Sequence, residues 1–443
     1  MDKIPPSSSQ VAVSDEAESE IETIPLGWEV VRIADKFTFT KKPRGLQISQ
    51  FTAIPFVPMD LIPFGKLYFH EYILKRPDEI SSGTYFEPND ILVPKITPSF
   101  ENGKQGMVPT LPTPFGYATT EVIPIAEQPG ISSREFLYYY LLKDDVRESL
   151  AAKMEGSTGR QRLRKDLLED LCIPFPPLLE QRAIAHVLSR IQAAAQAQAT
   201  VADRARELKR ALMAKLFTEG LQGEPLKETE IGPVPESWEV RKLGDYLTQA
   251  QYGLSVRGEK AGQYPILRMT NQQNGEIIGT SLQYVNISNA DLVRFKVNRG
   301  DLLFNRTNSI DLVGRTALFD LEGDFVFASY LIRLALADGL LEPRFVNEYL
   351  NHDLTQARLK GLATRGVSQS NISASRLKTF VVPIPPLDEQ QEMASILQGV
   401  GARIAEASRK QAGLEELFRA MLRELMTGRV RATISTSLVG QGL

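Results

Sequence analysis

One cysteine and three histidines are all that the 443 residues offer as thiolate or imidazole ligands, and that scarcity excludes a good deal. Cys172 alone cannot form an internal disulfide, and His70, His186 and His352 are scattered without zinc-site spacing. A reducing, cytoplasmic home without a structural metal is expected. No apolar run approaches the roughly 20 residues of a membrane-spanning helix, while 42% hydrophobic and 24% charged residues is ordinary for a soluble globular chain. Met1 to Glu22 is rich in Ser and acids but lacks the basic and apolar stretches of a secretory signal. Residues 1–20 read as a disordered acidic leader.

Catalytic signatures are missing too. Neither Gly65-Lys66 nor Gly103-Lys104 has the upstream Gly and following Ser or Thr of a phosphate-binding Walker loop, and there is no Gly-x-Gly-x-x-Gly fingerprint. The two Pro-Pro pairs follow Phe175 and Ile384 instead of the Asn that an adenine methyltransferase element requires. Acids are plentiful, yet none forms a recognisable nuclease cluster. The chain is expected to be non-catalytic and to hold no cofactor of its own. Its formal charge of −3 decides little, because the leader sets six acids against Lys3 and the remainder is positive by two. Attraction to phosphates depends on local clustering, since exposed charges are screened over about 10 Å.

What is present is a sequence written twice. Both tryptophans sit in one phrase, Trp28-Glu29-Val30 and Trp238-Glu239-Val240. At nearly the same offset, Asp90-Ile91-Leu92 recurs as Asp301-Leu302-Leu303, and Glu207 to Thr218 recurs as Glu416 to Thr427. Ile173-Pro174-Phe175-Pro176-Pro177-Leu178-Leu179-Glu180-Gln181 recurs as Val382-Pro383-Ile384-Pro385-Pro386-Leu387-Asp388-Glu389-Gln390. Shared spacing over several anchors marks an internal repeat, while the stretches between them differ almost completely.

Each copy has a variable region punctuated by Pro and Gly, expected to be mixed α/β, and then a long helix. Pro176-Pro177 ends the first region, and neither Pro nor Gly occurs from Gln181 to Glu219. Ile184, Leu188, Ile191 and Ala195, then Ala205, Leu208, Leu212 and Leu216, step along one face. The second copy matches them with Met393, Leu397, Val400 and Ile404, then Leu414, Leu417, Met421 and Leu425. A stripe on about 38 residues spans roughly 57 Å and needs a partner, for which the other copy is the obvious choice. The expected fold is α+β: two globular regions at opposite ends of an antiparallel helical pair, a coiled coil with pseudo-two-fold symmetry. Aligning Gln181 with Thr427 puts Gly413 beside Ala195, and close approach there is expected to offset the helix-weakening Gly399, Gly401 and Gly413. The expected divisions are a first globular region at 21–180, a helix at 181–220, a linker at 221–235, a second region at 236–389, a helix at 390–428 and a tail at 429–443.

Polar and basic loops after short strands are the candidate binding surfaces. In the first region they hold Lys95, Thr97, Ser99, Asn102 and Lys104, with Lys41, Lys42, Arg44, Arg160 and Arg162 as further candidates. In the second they hold Asn305, Arg306, Thr307, Asn308 and Arg315, with Tyr252, Arg257, Arg268, Asn271, Arg365, Gln369 and Asn371. Arg and Asn can pair bidentately with guanine and adenine edges, and Lys, Ser and Thr suit phosphates.

Two variable regions alternating with two matched helices, each opened by Ile/Val-Pro-x-Pro-Pro-Leu-x-Glu-Gln, resemble the DNA-specificity subunit of Type I restriction-modification systems. The segments Ile96 to Lys104 and Gly300 to Asn308 carry the same likeness, which covers about residues 21–430. Asn371-Ile372 in the second copy stands where the first has Arg162-Leu163, so equivalent contacts are not implied there. The resemblance implies that each variable region is a target recognition domain reading one half of a split, asymmetric duplex sequence. It also implies a helical ruler, two modification subunits that use S-adenosylmethionine, and restriction subunits that use ATP and Mg. A coiled-coil scaffold whose globular ends bind proteins is the alternative from another class, and an enzyme with an unrecognised nuclease centre is a third.

Overall fold

Trp28 opens a strand, Glu29–Arg32, that pairs antiparallel with Cys172–Phe175, so two motifs far apart in the chain become the two edges of one ribbon. The second copy repeats this with Glu239–Lys242 against Val381–Ile384, and Glu29↔Phe175 has its counterpart in Glu239↔Ile384. These pairings come from a computed structural model, which describes residues 24–157, 159–366 and 369–433. The acidic leader and residues 434–443 of the tail lie outside the described residues. Two compact units emerge: Met1–Gln198 with Arg409–Leu443, and Ala199–Ser408.

In the first unit one sheet runs Phe37–Phe39, Val122–Glu127, Ile91–Pro94, Gly106–Met107, and a second runs Ile73–Lys75, Ile54–Val57, Gly116–Ala118, Thr84–Phe86. In the second unit a six-stranded sheet runs Leu247–Tyr252, Leu331–Leu336, Leu302–Asn305, Thr316–Leu318, Glu276–Ile277, Gln272–Gln273, beside a three-stranded sheet of Gln283–Val285, Tyr264–Leu267 and Val326–Phe327. The variable regions are thus repeats in structure as well. Ile91 faces Ile125 across the ladder as Leu302 faces Leu334, and Phe56↔Tyr117 has its parallel equivalent in Ile266↔Val326.

Alternation along these strands divides the cores. Successive side chains leave a strand on opposite faces. Ile91 and Val93 therefore enter the core shared with the helices, while Leu92 enters a separate one with Val57, Phe86 and Val108. Leu302 and Phe304 join the helix-side core of the second unit, and Leu303 the core with Phe319 and Phe327. Being covered on both faces explains why these strands are apolar throughout. The preceding acids close turns: Asp90 accepts the Glu87 N–H and Asp301 the Asn298 N–H, both at 2.8 Å. Burial pushes the Asp90 carboxyl up to about 6 and raises that of Asp301.

The repeated Glu-Gln pair is a clamp at the start of each long helix, Leu178–Glu219 and Leu387–Met426. Trp28 Nε1 donates to Glu180 at 3.0 Å and Trp238 Nε1 to Glu389 at 2.9 Å. Gln181 accepts the Ser133 N–H and donates to the Pro176 carbonyl, both at 2.8 Å; Gln390 does the same with Glu342 N at 2.9 Å and Pro385 O at 2.8 Å. The helices end on glycines with positive φ, Gly220 at 65° and Gly428 at 71°. A side chain there would run into Glu389 and Trp238 in one unit and Pro25 and Trp28 in the other. Within the first unit, Ala183, Ile184 and Leu188 share a core with Leu422, Leu425 and Met426, so the start of one helix meets the end of the other. Within the second, Met213, Leu216 and Phe217 meet Met393 and Leu397 in the same antiparallel sense.

The apolar stripe needs a correction. Leu208 and Leu417, expected in the helix interface, are 52% and 45% exposed. Stepping by four and three from Ile184 reaches Ala202 and then Lys209, and stepping likewise from Met393 reaches Ala407 and then Phe418. Both leucines lie one residue off the seam. Lys209 on the stripe is bound to Glu348 at 2.7 Å, and Phe418 packs edge-on against Tyr139. Ile191, Leu212, Val400, Ile404, Leu414 and Met421 are half-buried. The expected close approach at Gly413 is also absent: a Cβ on Gly399 or Gly413 would meet nothing within 4 Å. Finally, residues 221–235, expected as a linker, contain a hairpin of Leu226–Thr229 with Gly232–Pro235.

Candidate nucleic-acid interface

Each unit sends the end of a central strand onto a two-stranded hairpin, and that junction gathers the candidate residues. In the second unit Thr307–Asn308 follows the strand and pairs with Ser370–Asn371, which also pairs with Thr364–Arg365. In the first, Ile96 bridges Arg162 in the hairpin Glu155–Ser157 with Arg160–Arg162. The backbone bonds correspond one by one. Lys95 donates to Glu121 O and accepts from Leu163 N, as Arg306 donates to Tyr330 O and accepts from Ile372 N. Lys95 thus stands where Arg306 does, Glu121 where Tyr330 does, and Arg162 where Asn371 does.

The second junction is rich in fixed polar side chains. The Arg306 guanidinium lies over the Tyr252 ring at 4.6 Å and donates to Ser329 O at 3.3 Å. Tyr252 is held in turn, its hydroxyl accepting the Ala374 N–H at 2.9 Å. The Asn308 amide lies 3.3 Å from Met269 Sδ, and Asn371 Nδ2 donates to Thr307 Oγ1 at 2.8 Å. Beside these residues is a cleft of about 470 Å³ whose lining includes Arg257, Arg268, Gln283, Ser329 and Tyr330. Arg257 is exposed and Arg268 half-buried. Sequence reasoning missed Gln283 and Tyr330, although Tyr330 directly precedes a buried strand and is 50% exposed.

Other candidates of this unit are used differently. Asn271 is 1% exposed and spends its amide inside the fold, accepting the Arg268 N–H and donating to Thr280 O, both at 3.0 Å. It is a turn-former, not a surface reader. Asn305 is 3% exposed on its strand, its side-chain oxygen without a partner. Arg315 and Gln369 are exposed, whereas the Arg365 side chain lies outside what the structure describes.

The first unit corrects the expectation for its loop more strongly. Residues 95–104 fold back on the protein, Phe100 is 1% exposed, and Thr97 Oγ1 donates to Gln161 O at 3.4 Å. Lys104 donates to Met59 O at 2.9 Å with its ammonium over the Phe64 ring. Beneath the loop Arg147 is 6% exposed, donating to Leu141 O, Gln105 Oε1 and the Phe100 carbonyl. Burial pulls this guanidinium down to about 10, against the weaker pull of Asp144 in the other direction. An arginine in a helical stretch gave no sequence signal of that role.

Of the remaining first-unit candidates, Ser99 and Lys95 are half-buried and Asn102 is exposed. Arg162 forms a two-pronged ion pair with Glu121 at 2.8 and 3.1 Å, which raises its pKa. Lys41, Lys42, Arg44 and Arg160 are exposed, with Lys42 5.9 Å from the Tyr117 ring centre. Among the described residues, no group of three or more His, Cys, Asp or Glu side chains could hold a metal ion. Nor is any helix among them long and apolar enough to cross a membrane.

Residues 25–201 and 235–416 match the family described as Type I restriction modification DNA specificity domain. The chain is 25% identical over 438 residues to the type I restriction enzyme MjaVIII specificity subunit of Methanocaldococcus jannaschii, covering 92% of this chain and 94% of that one. It is 23% identical over 395 residues to the EcoKI specificity subunit of Escherichia coli K12, covering 84% and 81%. With the MjaX specificity subunit of M. jannaschii identity is 33%, but only over 208 residues, so that 46% of this chain covers about half, 49%, of that relative. Among solved structures, a type-I restriction-modification system S subunit from M. genitalium gives a TM-score of 0.57 at 16% identity, covering 91% of this chain and 96% of that one. A chain from a study of type I R-M complex assembly and conformational transition gives 0.54 at 18%, covering 92% and 100%. At those identities the likeness is one of fold.

Proposed function

The chain belongs to the Type I restriction modification DNA specificity family, and from that premise we propose that each of its units reads one half of a split, asymmetric duplex target. Sequence-specific DNA recognition is its task, and catalysis belongs to other subunits. The observation that carries the split reading is the repeated strand-to-hairpin junction, built on one backbone frame and dressed with different side chains. Corresponding backbone pairing allows both units to meet duplex DNA in the same way, while unlike side chains make the half-sites differ.

Two modification subunits bound to this chain supply S-adenosylmethionine-dependent methylation of adenine, and restriction subunits supply ATP- and Mg-dependent cleavage. The long helices set the gap between the half-sites. Footprinting of the chain in complex with its modification partners tests the reading: two protected blocks with an unprotected gap are expected. One contiguous block of half that length would reject it, and so would binding that does not weaken steeply with salt.

A further inference from the structure

Two arginines of the second unit are oriented before any ligand arrives. Arg306 is held by the Tyr252 ring and Ser329 O, and Arg268 by Ser281 O at 3.2 Å. In both, Nε is buried without a partner, so the donors left for a ligand are on the terminal nitrogens. A phosphate contact needs only a nearby charge, but two-pronged pairing with guanine O6 and N7 needs the guanidinium plane fixed. For Arg306 an aromatic face and a backbone carbonyl provide that fixation, and for Arg268 a backbone carbonyl alone. Moreover, Ser329 and Arg268 line the same cleft. The first unit does not repeat this device at the corresponding positions. Lys95 takes the place of Arg306, and Pro58, which follows the strand Ile54–Val57 as Arg268 follows Tyr264–Leu267, takes that of Arg268.

Resting on the split-target reading, we propose that the cleft of the second unit is a guanine-reading site, with Arg306 and Arg268 contacting base edges and Tyr252 a positioning residue for Arg306. The half-site read by this unit therefore contains guanine at the positions these side chains reach. Lysine keeps the charge but cannot form the planar fork. Arg306→Lys should thus preserve phosphate attraction while losing choice of base.

The test is selection from a randomised duplex library by the full chain in complex with its modification subunits, followed by binding at several salt concentrations. Wild type should select a split target with guanine in one half. Arg306→Lys and Arg268→Lys should each relax the preference at one guanine of that half by about tenfold or more, with the other half and the salt slope unchanged. Tyr252→Phe should keep the preference, and Tyr252→Ala should lose the one that depends on Arg306. An unfolding transition like that of the wild type shows that each variant is folded in both units. Uniform weakening on every sequence, or a half-site without guanine, would overturn the guanine assignment and leave the split target standing. Failure of the wild type to select any sequence would instead overturn the split-target reading itself.

Discussion

At one backbone position the first unit carries Lys95 and the second Arg306, and what surrounds each decides how it can be used. Arg306 has the Tyr252 ring beneath it and Tyr330 beside it. The first unit puts Glu121 where Tyr330 stands, and that acid engages Arg162. One frame thus presents a fixed Arg306 in one copy and, in the other, an Arg162 neutralised by Glu121 at the place of Asn371. Elsewhere the frame itself is conserved with different chemistry: Tyr139 against Phe418 in the first unit is replaced by Glu348 with Lys209 in the second. The lesson is that the repeat preserves backbone pairing and helix clamps, while pair interactions on top of it vary freely.

The clamps offer the largest test of that division. Glu180 receives Trp28 and Arg431, and Glu389 receives Trp238 and the Leu221 N–H at 2.7 Å. Glu180→Ala and Glu389→Ala should each cost about 4 kcal/mol in denaturant unfolding, because buried donors lose a charged acceptor. A loss in only one unit would break the equivalence of the two clamps.

A pH dependence of stability is expected from the turn before the first unit's central strand. The folded Asp90 carboxyl titrates near 6, above its ordinary 3.8. The fold therefore favours the protonated form, a contribution fully present below about 4 and lost as pH rises through about 6. Asp90→Asn should flatten the stability profile across that window and stabilise the protein by up to about 3 kcal/mol at pH 7. Unfolding curves from pH 4 to 7 check this.

Replacing Arg306 and Asn308 with Ala should impair one half-site only, by about 1 to 3 kcal/mol per lost base contact, as read by competition between duplexes altered in one half. Equal losses in both halves would contradict independent readers. The smallest effect is expected at Gly413, where open space surrounds the missing side chain. Gly413→Ala should raise stability by about 1 kcal/mol without altering DNA selection, which thermal unfolding would detect.

The sequence by itself determined the duplication, the two long helices and the helix-start motifs, because those depend on local rules: apolar spacing, proline stops and recurring phrases. It also placed Arg306 and Asn308 in a polar loop beyond an apolar strand, since a run of polar residues marks where the chain leaves the core. Only the tertiary structure decided that Lys104, Thr97 and Asn271 serve the fold, that Leu208 lies off the seam, and that Tyr252 supports Arg306. For Lys104, Thr97 and Tyr252 the partners are far away in the chain: Met59, Gln161 and Ala374. A long-range contact leaves no periodicity or spacing to read, so the use of a polar side chain becomes visible only when its neighbours are in place.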